Sequence, residues 1–207
     1  CFHSRVKSHV GIFFVCKKSG KLRMIVDART TNQLLRTPPS TSLASTAAVA
    51  DFETSEQLFF SIQDIADCYY QFRIPENLQK YFAMKPITAD EIEGILIDGV
   101  PPSAGQKLYP CLSVLPMGFS WALHWTQVAH RNLLDQGGFS LEADELLDRH
   151  PPPAVSSDRP AKLIYVDNQL FISTVAAVTK QQQEEVHKYF TAQGLPMHSV
   201  EHGQLVE

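Results

Sequence analysis

Two short stretches of this chain bring carboxylates to places where apolar runs stop. In Phe60-Ser61-Ile62-Gln63-Asp64-Ile65-Ala66-Asp67-Cys68-Tyr69-Tyr70 the residues Phe60 and Ile62, with Phe59 before them, are β-favouring, and Asp64 ends their run. In Leu163-Ile164-Tyr165-Val166-Asp167-Asn168-Gln169-Leu170-Phe171-Ile172 two apolar runs flank Asp167 and Asn168. That is the pattern of a hairpin whose tight turn carries the two polar residues. A carboxylate at the end of a buried strand is costly unless its charge is compensated, commonly by a divalent cation. Two such aspartates on adjacent strands of one sheet can hold two Mg²⁺ ions and support in-line phosphoryl transfer. The competing readings are plain ones: Asp64 as the N-cap of a following helix, and Asp167-Asn168 as an ordinary turn.

Four segments, taken together, resemble the motifs of reverse transcriptases. Asp64 to Tyr70 resembles the first catalytic motif, and Tyr165-Val166-Asp167-Asn168 resembles the Tyr-x-Asp-Asp box. Leu115-Pro116-Met117-Gly118, continuing through Phe119-Ser120-Trp121-Ala122 to Gln127, resembles the Leu-Pro-x-Gly motif that lies between them. Leu22-Arg23 through Asp27, Arg29 and Asn32 resembles the fingers motif upstream. They follow the family's order from about residue 11 to about residue 200, with the flavour of a long-terminal-repeat retrotransposon.

The resemblance implies an α+β polymerase palm, an antiparallel sheet backed by helices, with a partial fingers subdomain. It implies an RNA-directed DNA polymerase that adds deoxynucleotides to a primer 3′ end. Asp64 and Asp167 would be catalytic. Two Mg²⁺ ions, with Mn²⁺ possible, would sit on Asp64, Asp167 and the backbone carbonyl of Ile65, and Asn168 would offer at most a neutral oxygen. Arg23 would grip the triphosphate with Lys17 or Lys18 beside it. Tyr69 would lie under the sugar and leave no room for a 2′-hydroxyl, with Asp67, Met117 and Gly118 completing the nucleotide site. Tyr165, Val166 and Gln127 would support the motifs. The implied partners are an RNA or DNA template with its primer, deoxynucleoside triphosphates and the remainder of a retroelement polyprotein, with no membrane.

The same resemblance divides the chain into a fingers-like segment (1–58), a palm segment with the first catalytic motif (59–87), an insertion or fingers return (88–110) and a second palm segment (111–207) with an inserted loop at 135–161. Thumb and ribonuclease H domains are expected to be absent. Three departures stand out: Asn168 in place of a second aspartate, the bulky Trp121, and no lysine after Lys188. In this family a lysine in that last region protonates the departing pyrophosphate; His198 or His202 would have to substitute. These departures favour an alternative, a degenerate relic that binds nucleic acid or a partner without catalysis. A viral-type RNA polymerase is a third reading, and Tyr69 argues against it.

Composition narrows the setting. No apolar run approaches the roughly 20 residues of a membrane span, and no signal-peptide pattern opens the chain. Cys1, Cys16, Cys68 and Cys111 are scattered without a Cys-x-x-Cys pair, which argues against a zinc site or disulfide framework and for an intracellular setting. The net charge of −4 argues at first against a nucleic-acid partner. Residues 1–36, however, carry eight Lys and Arg against Asp27 alone, a net +7, which leaves −11 for the rest. A basic arm facing phosphates beside an acidic metal-binding body is electrically sensible.

The elements that must position these residues are legible in part. Val10–Val15 and Leu22–Val26 predict a β-hairpin across Lys17-Lys18-Ser19-Gly20-Lys21. Residues 36–50 predict an extended Pro/Ser/Thr linker that becomes a weak helix from Ser42 or Ser45. Tyr81–Ile87 and Tyr109–Val114 read as strands, Ser120 as the N-cap of a helix to about Leu134, and Leu141–Leu147 as a short acidic helix. Thr179–Gln193 predicts a helix, and Leu195–Val200 a final strand. His124 and His130 read as surface or helix-face residues. Asp27, Arg29 and Asn32 read as structural or template-facing: a charged pair and a turn cap.

Overall fold

A computed structural model describes residues 1–18, 20–44, 48–49, 56–97, 99–139 and 144–205. The chain divides into two compact units: residues 1–38 with 69–122, and residues 39–68 with 123–207.

The first unit holds the basic hairpin. Strand β2 (Gly11–Cys16) pairs antiparallel with β3 (Leu22–Asp27) over the register Gly11↔Asp27 to Cys16↔Leu22. Its turn closes with Lys17 N–H donating to Lys21 O, and Gly20 takes φ 78°, the left-handed conformation glycine adopts without strain. The short helix α1 (Arg29–Gln33) follows. A second, three-stranded sheet runs in the order β1-β6-β5, from Phe2–His3 (β1), Lys107–Pro110 (β6) and Ile87–Thr88 (β5). Two four-residue helices lie in the stretch that follows Asp67: α2 (Cys68–Gln71) and α3 (Glu76–Gln79). The strand expected over Tyr81–Ile87 is mostly irregular. Ala83 makes single bridges to His9 and Cys111, and only Ile87 and Thr88 join the sheet. Phe82 and Ala83 are fully buried, so the apolar run reflects core packing rather than a ladder.

The second unit is a four-stranded antiparallel sheet, β7-β8-β4-β9: Ala161–Tyr165 (β7), Asn168–Ser173 (β8), Leu58–Asp64 (β4) and Glu201–Leu205 (β9). Strand side chains alternate between faces. One face carries Leu58, Phe60, Ala161, Leu170, Ile172 and Leu205, which cluster together. The other carries Ser61, Gln63 and Gln169 with Phe171 and Ile164, and its polar members bond to helices: Ser61 Oγ donates to Thr179 Oγ1, and Gln183 Nε2 donates to Gln63 Oε1. Those partners lie on α5 (Ala176–Ala192), whose Val186 and Phe190 are fully buried at helical spacing. The helix α4 (Ala122–Gln136) carries buried Thr126, Gln127, His130 and Leu134.

Several expectations need correction. The last strand is Glu201–Leu205, not Leu195–Val200; Leu195 and Met197 instead close the turn after α5, with Leu195 N–H on Phe190 O and Met197 bridging Ile65. Helix α4 starts at Ala122, two residues beyond Ser120, whose N–H donates to Asn32 Oδ1. Of the expected acidic helix, 141–143 lie outside the described residues, and Glu145 lies as a parallel bridge beside Lys162 of β7. Its charges explain that: Glu145 pairs with Arg131, and Asp144 with Arg159 and Lys162. Ser45 likewise lies outside the described residues.

Candidate active site

Asp64 is the last residue of β4, and the ladder places it opposite Asn168, the first residue of β8, which in turn faces Tyr165 at the end of β7. The three therefore form one row across the sheet, on the face that carries Ile62 and Leu170. Ile65 N–H donates to Asp167 O at 2.9 Å, so the two motif aspartates stand at neighbouring strand ends. Asp64 is not a helix N-cap: its backbone belongs to the ladder, and α2 begins four residues later. Asp67, between them, is exposed and holds φ 49°, a conformation aspartate tolerates better than most residues.

The hairpin turn differs by one residue from the sequence expectation. Its two central residues are Val166 and Asp167, while Asn168 already belongs to β8. Val166 has φ 58°. For a β-branched residue this is a sterically disfavoured conformation, with a typical cost of about 1–3 kcal/mol. Helix α4 holds it there. Gln127 Nε2 donates to Ile164 O at 2.9 Å, and Gln127 Oε1 accepts Val166 N–H at 2.7 Å. One turn on, His130 Nδ1 lies 2.9 Å from Val166 O. Both backbone groups of the buried Val166 are thus committed to one helix face.

Asn168 Nδ2 donates to Asp167 Oδ1 at 3.0 Å, so the residue that departs from the family box touches the retained aspartate. His198 Nε2 lies 3.8 Å from Asp64 Oδ2, and its backbone N–H donates to Asp64 O. His202 is instead engaged with Ser61, its Nδ1 2.7 Å from Ser61 Oγ. Cys68 is buried, and its thiol is pushed up to about 12, by burial first and then by the charges of Asp167 and Asp64. Among the described residues no three His, Cys, Asp or Glu side chains gather as a metal cluster. The donor set that fits a hard cation is two carboxylates plus backbone oxygen.

In the first unit, Lys17, Lys18 and Arg23 line one hollow of about 440 Å³ together with Val15 and Cys16. Phe13 and Phe14 of the same hairpin are exposed. Met117 and Gly118 form a turn with an evident structural reason for glycine: φ is 109°, and a Cβ would lie 2.3 Å from Val26 O. Asn32 Nδ2 donates to Gly118 O and its Oδ1 accepts Ser120 N–H, both at 3.0 Å. Asn32 is thus the cap the sequence suggested, but of the Leu-Pro-Met-Gly turn. Trp121 Nε1 donates to Arg36 O at 2.6 Å, which gives the unusual side chain a defined place. Asp27 and Arg29 form the expected pair, and the Arg29 side-chain hydrogen bonds hold the Asp27 carboxyl down at about 2. Tyr69 lies half-buried in α2.

Of the surface or helix-face reading, His130 keeps the helix face and not the surface: it lies on α4 and is 1% exposed. The available signal was its i, i+3 spacing from Gln127, which puts both on one helix face.

With the geometry in hand, the chain can be set beside solved structures. It is similar to the foamy viral protease–reverse transcriptase in complex with double-stranded DNA, with TM-score 0.61 and 18% identity over 95% of this chain and 27% of that one. It is also similar to native prototype foamy virus protease–reverse transcriptase, with TM-score 0.60 and 17% identity over 93% and 20% of the two chains. The chain is folded like a fragment of a reverse transcriptase. A third such structure, the foamy viral enzyme in complex with an RNA/DNA hybrid, matches with TM-score 0.56 and 16% identity over 92% and 20%. The reverse-transcriptase-like region spans about a fifth to about a quarter of the length of these proteins. No sequence family and no curated protein matches the chain. No helix among the described residues is long and apolar enough to cross a membrane.

Proposed function

We propose that this chain is the polymerase region of an RNA-directed DNA polymerase of the long-terminal-repeat retroelement type, working inside the cell as part of a polyprotein. The observation that carries the reading is the placement of Asp64 and Asp167, from motifs about a hundred residues apart, at adjacent strand ends of one sheet. The neighbouring foamy viral enzymes were captured with double-stranded DNA and with an RNA/DNA hybrid, which supports a template–primer as the partner here.

On this reading Asp64, Asp167 and the Ile65 carbonyl hold two Mg²⁺, with Mn²⁺ able to replace them. When bound, these ions supply the Lewis-acid stabilisation that in-line phosphoryl transfer needs. The chain's own groups do the rest. The turn of Val166 and Asp167 aims one carboxylate, and the end of β4 aims the other. The hollow of Lys17, Lys18 and Arg23 is assigned to the triphosphate on the resemblance, as are Asp67, Tyr69, Met117 and Gly118 to the nucleotide. His198, beside Asp64, takes precedence over His202 as the stand-in for the missing lysine.

Single-nucleotide primer extension on an RNA template with a DNA primer tests the assignment. The wild-type chain is expected to incorporate, while Asp64→Asn and Asp167→Asn fall to the level of a template-free control. Undiminished synthesis by either variant would sink it. The second reading, a relic that binds without catalysis, is favoured by Asn168 standing on Asp167 Oδ1. It predicts salt-dependent template–primer binding with no incorporation in either metal.

A further inference from the structure

The polymerase reading has no use for His130, yet this ring is buried among hydrogen-bonding partners from the catalytic hairpin. Its Nδ1 faces Val166 O at 2.9 Å, its Nε2 lies 3.1 Å from Gln169 Oε1, and the ring packs at 5.5 Å from Phe190. A carbonyl oxygen can only accept, so Nδ1 carries a proton. Burial holds the imidazole below its ordinary value and so neutral, which makes Nε2 an acceptor. Gln169 must then present its NH₂ to the ring. That orientation pairs the Gln169 amide nitrogen, which otherwise makes no hydrogen bond, and moves its oxygen to the position the nitrogen held. The ring's proton is thereby locked on the side of the turn by a residue of β8, three positions past Val166.

We infer that His130 is a positioning residue for Asp167: as a neutral Nδ1–H imidazole oriented by Gln169, it donates to Val166 O and so fixes the left-handed turn residue that sets the direction of the Asp167 carboxylate. Val166 cannot hold this conformation cheaply on its own. Gln127 secures its N–H, and without a donor on its carbonyl the peptide joining Val166 to Asp167 loses a restraint that helix α4 supplies. A buried histidine that merely fills space would make no such distinction between its two nitrogens.

This inference rests on the polymerase reading for its consequence but not for its detection. Two substitutions separate the roles of the ring nitrogens. His130→Asn places an amide donor at the Nδ1 position, and His130→Gln places one at the Nε2 position. Both lose the packing against Phe190, so both are expected to lower Tm similarly. His130→Gln is expected to lower kcat by about tenfold to a hundredfold, as a small misplacement of a reacting group does, with KM for template–primer unchanged. His130→Asn is expected to stay within about threefold of wild type on the same grounds. Equal kcat losses in the two variants, at equal Tm, would overturn the inference. Nitrogen-15 spectra of the free chain supply the activity-independent arm. They should show His130 protonated at Nδ1 alone, and the Val166 and Asp167 amide resonances should move in His130→Gln but not in His130→Asn. A His130 protonated at Nε2 overturns the positioning role. A wild-type chain that extends no primer while giving the expected spectra overturns the polymerase reading instead.

Discussion

Asn168 shows how a single substitution can be read from its neighbours. An aspartate there would set a second negative charge against Asp167 and Asp64, and a cation would be needed to hold the three together. The amide instead donates to Asp167 Oδ1, stabilising its charge while competing for one of its lone pairs. We therefore expect Asn168→Asp to lower the Mg²⁺ concentration that half-saturates extension and to reduce any preference for Mn²⁺. Titration of both metals against incorporation checks this; a Mg²⁺ response that is already ordinary and unmoved by Asn168→Asp would refute it. Cys68 offers a second test. Its folded-state value is raised from 9.0 to about 12, so the fold favours the neutral thiol. The contribution to stability is complete below pH 9 and is lost as pH rises toward 12. In the folded chain at about pH 8, Cys1 and Cys16, which are exposed, should react quickly with a thiol reagent, while Cys68 and Cys111 react only after unfolding. Fast labelling of Cys68 in the native chain would contradict its burial.

At the scale of elements, the first unit turns on one close approach. Strand β3 brings Val26 O to where a side chain at position 118 would sit, and Asn32 of α1 braces the same turn from both sides. Gly118→Ala is expected to destabilise the chain by about 1–3 kcal/mol from the positive φ alone, with more from the clash. Urea unfolding monitored by tryptophan fluorescence would measure it, and an unchanged midpoint would show that the turn can relax. In the second unit, β4 is paired on both sides, by β8 and β9, so Asp64 rests on one of the two inner strands of its sheet. Helix α4 supplies the other half of the arrangement. Its Gln127 and His130 satisfy three backbone atoms of the β7–β8 hairpin, which is how a strained residue persists at a strand end.

Across the whole molecule, charge is unevenly spread. The hairpin of the first unit presents Lys17, Lys18 and Arg23 around one hollow and exposes Phe13 and Phe14, while the acidic residues gather later in the chain. On the proposed reading, a chain with this distribution should bind template–primer with affinity that falls steeply with salt. Replacing Lys17, Lys18 and Lys21 with Gln should reduce the slope of log affinity against log salt by up to about 0.9 for each phosphate that is no longer neutralised. A slope identical to wild type would remove the hairpin from the nucleic-acid interface.

What the sequence alone determined was local or periodic. The apolar, β-favouring runs of Leu22–Val26, of Phe59–Ile62 and on either side of Asp167 marked strands, and Gly20 marked a turn, because those preferences act within a few residues of backbone. The order of four motifs pointed to the fold that the solved structures share. The tertiary structure decided the rest. The turn sits one residue earlier than Asp167-Asn168 because Gln127 and His130, nearly forty residues away in the chain, capture both backbone groups of Val166 and hold it where a valine does not go by itself. Gly118 is required by a carbonyl of Val26, and Ser120, its N–H on Asn32, lies two residues ahead of the helix it was expected to cap. Asp144 and Glu145 lie beside β7, their charges paired with Arg131, Arg159 and Lys162. Each of these outcomes depends on a partner far off in sequence, and no local pattern encodes which partner the fold will deliver.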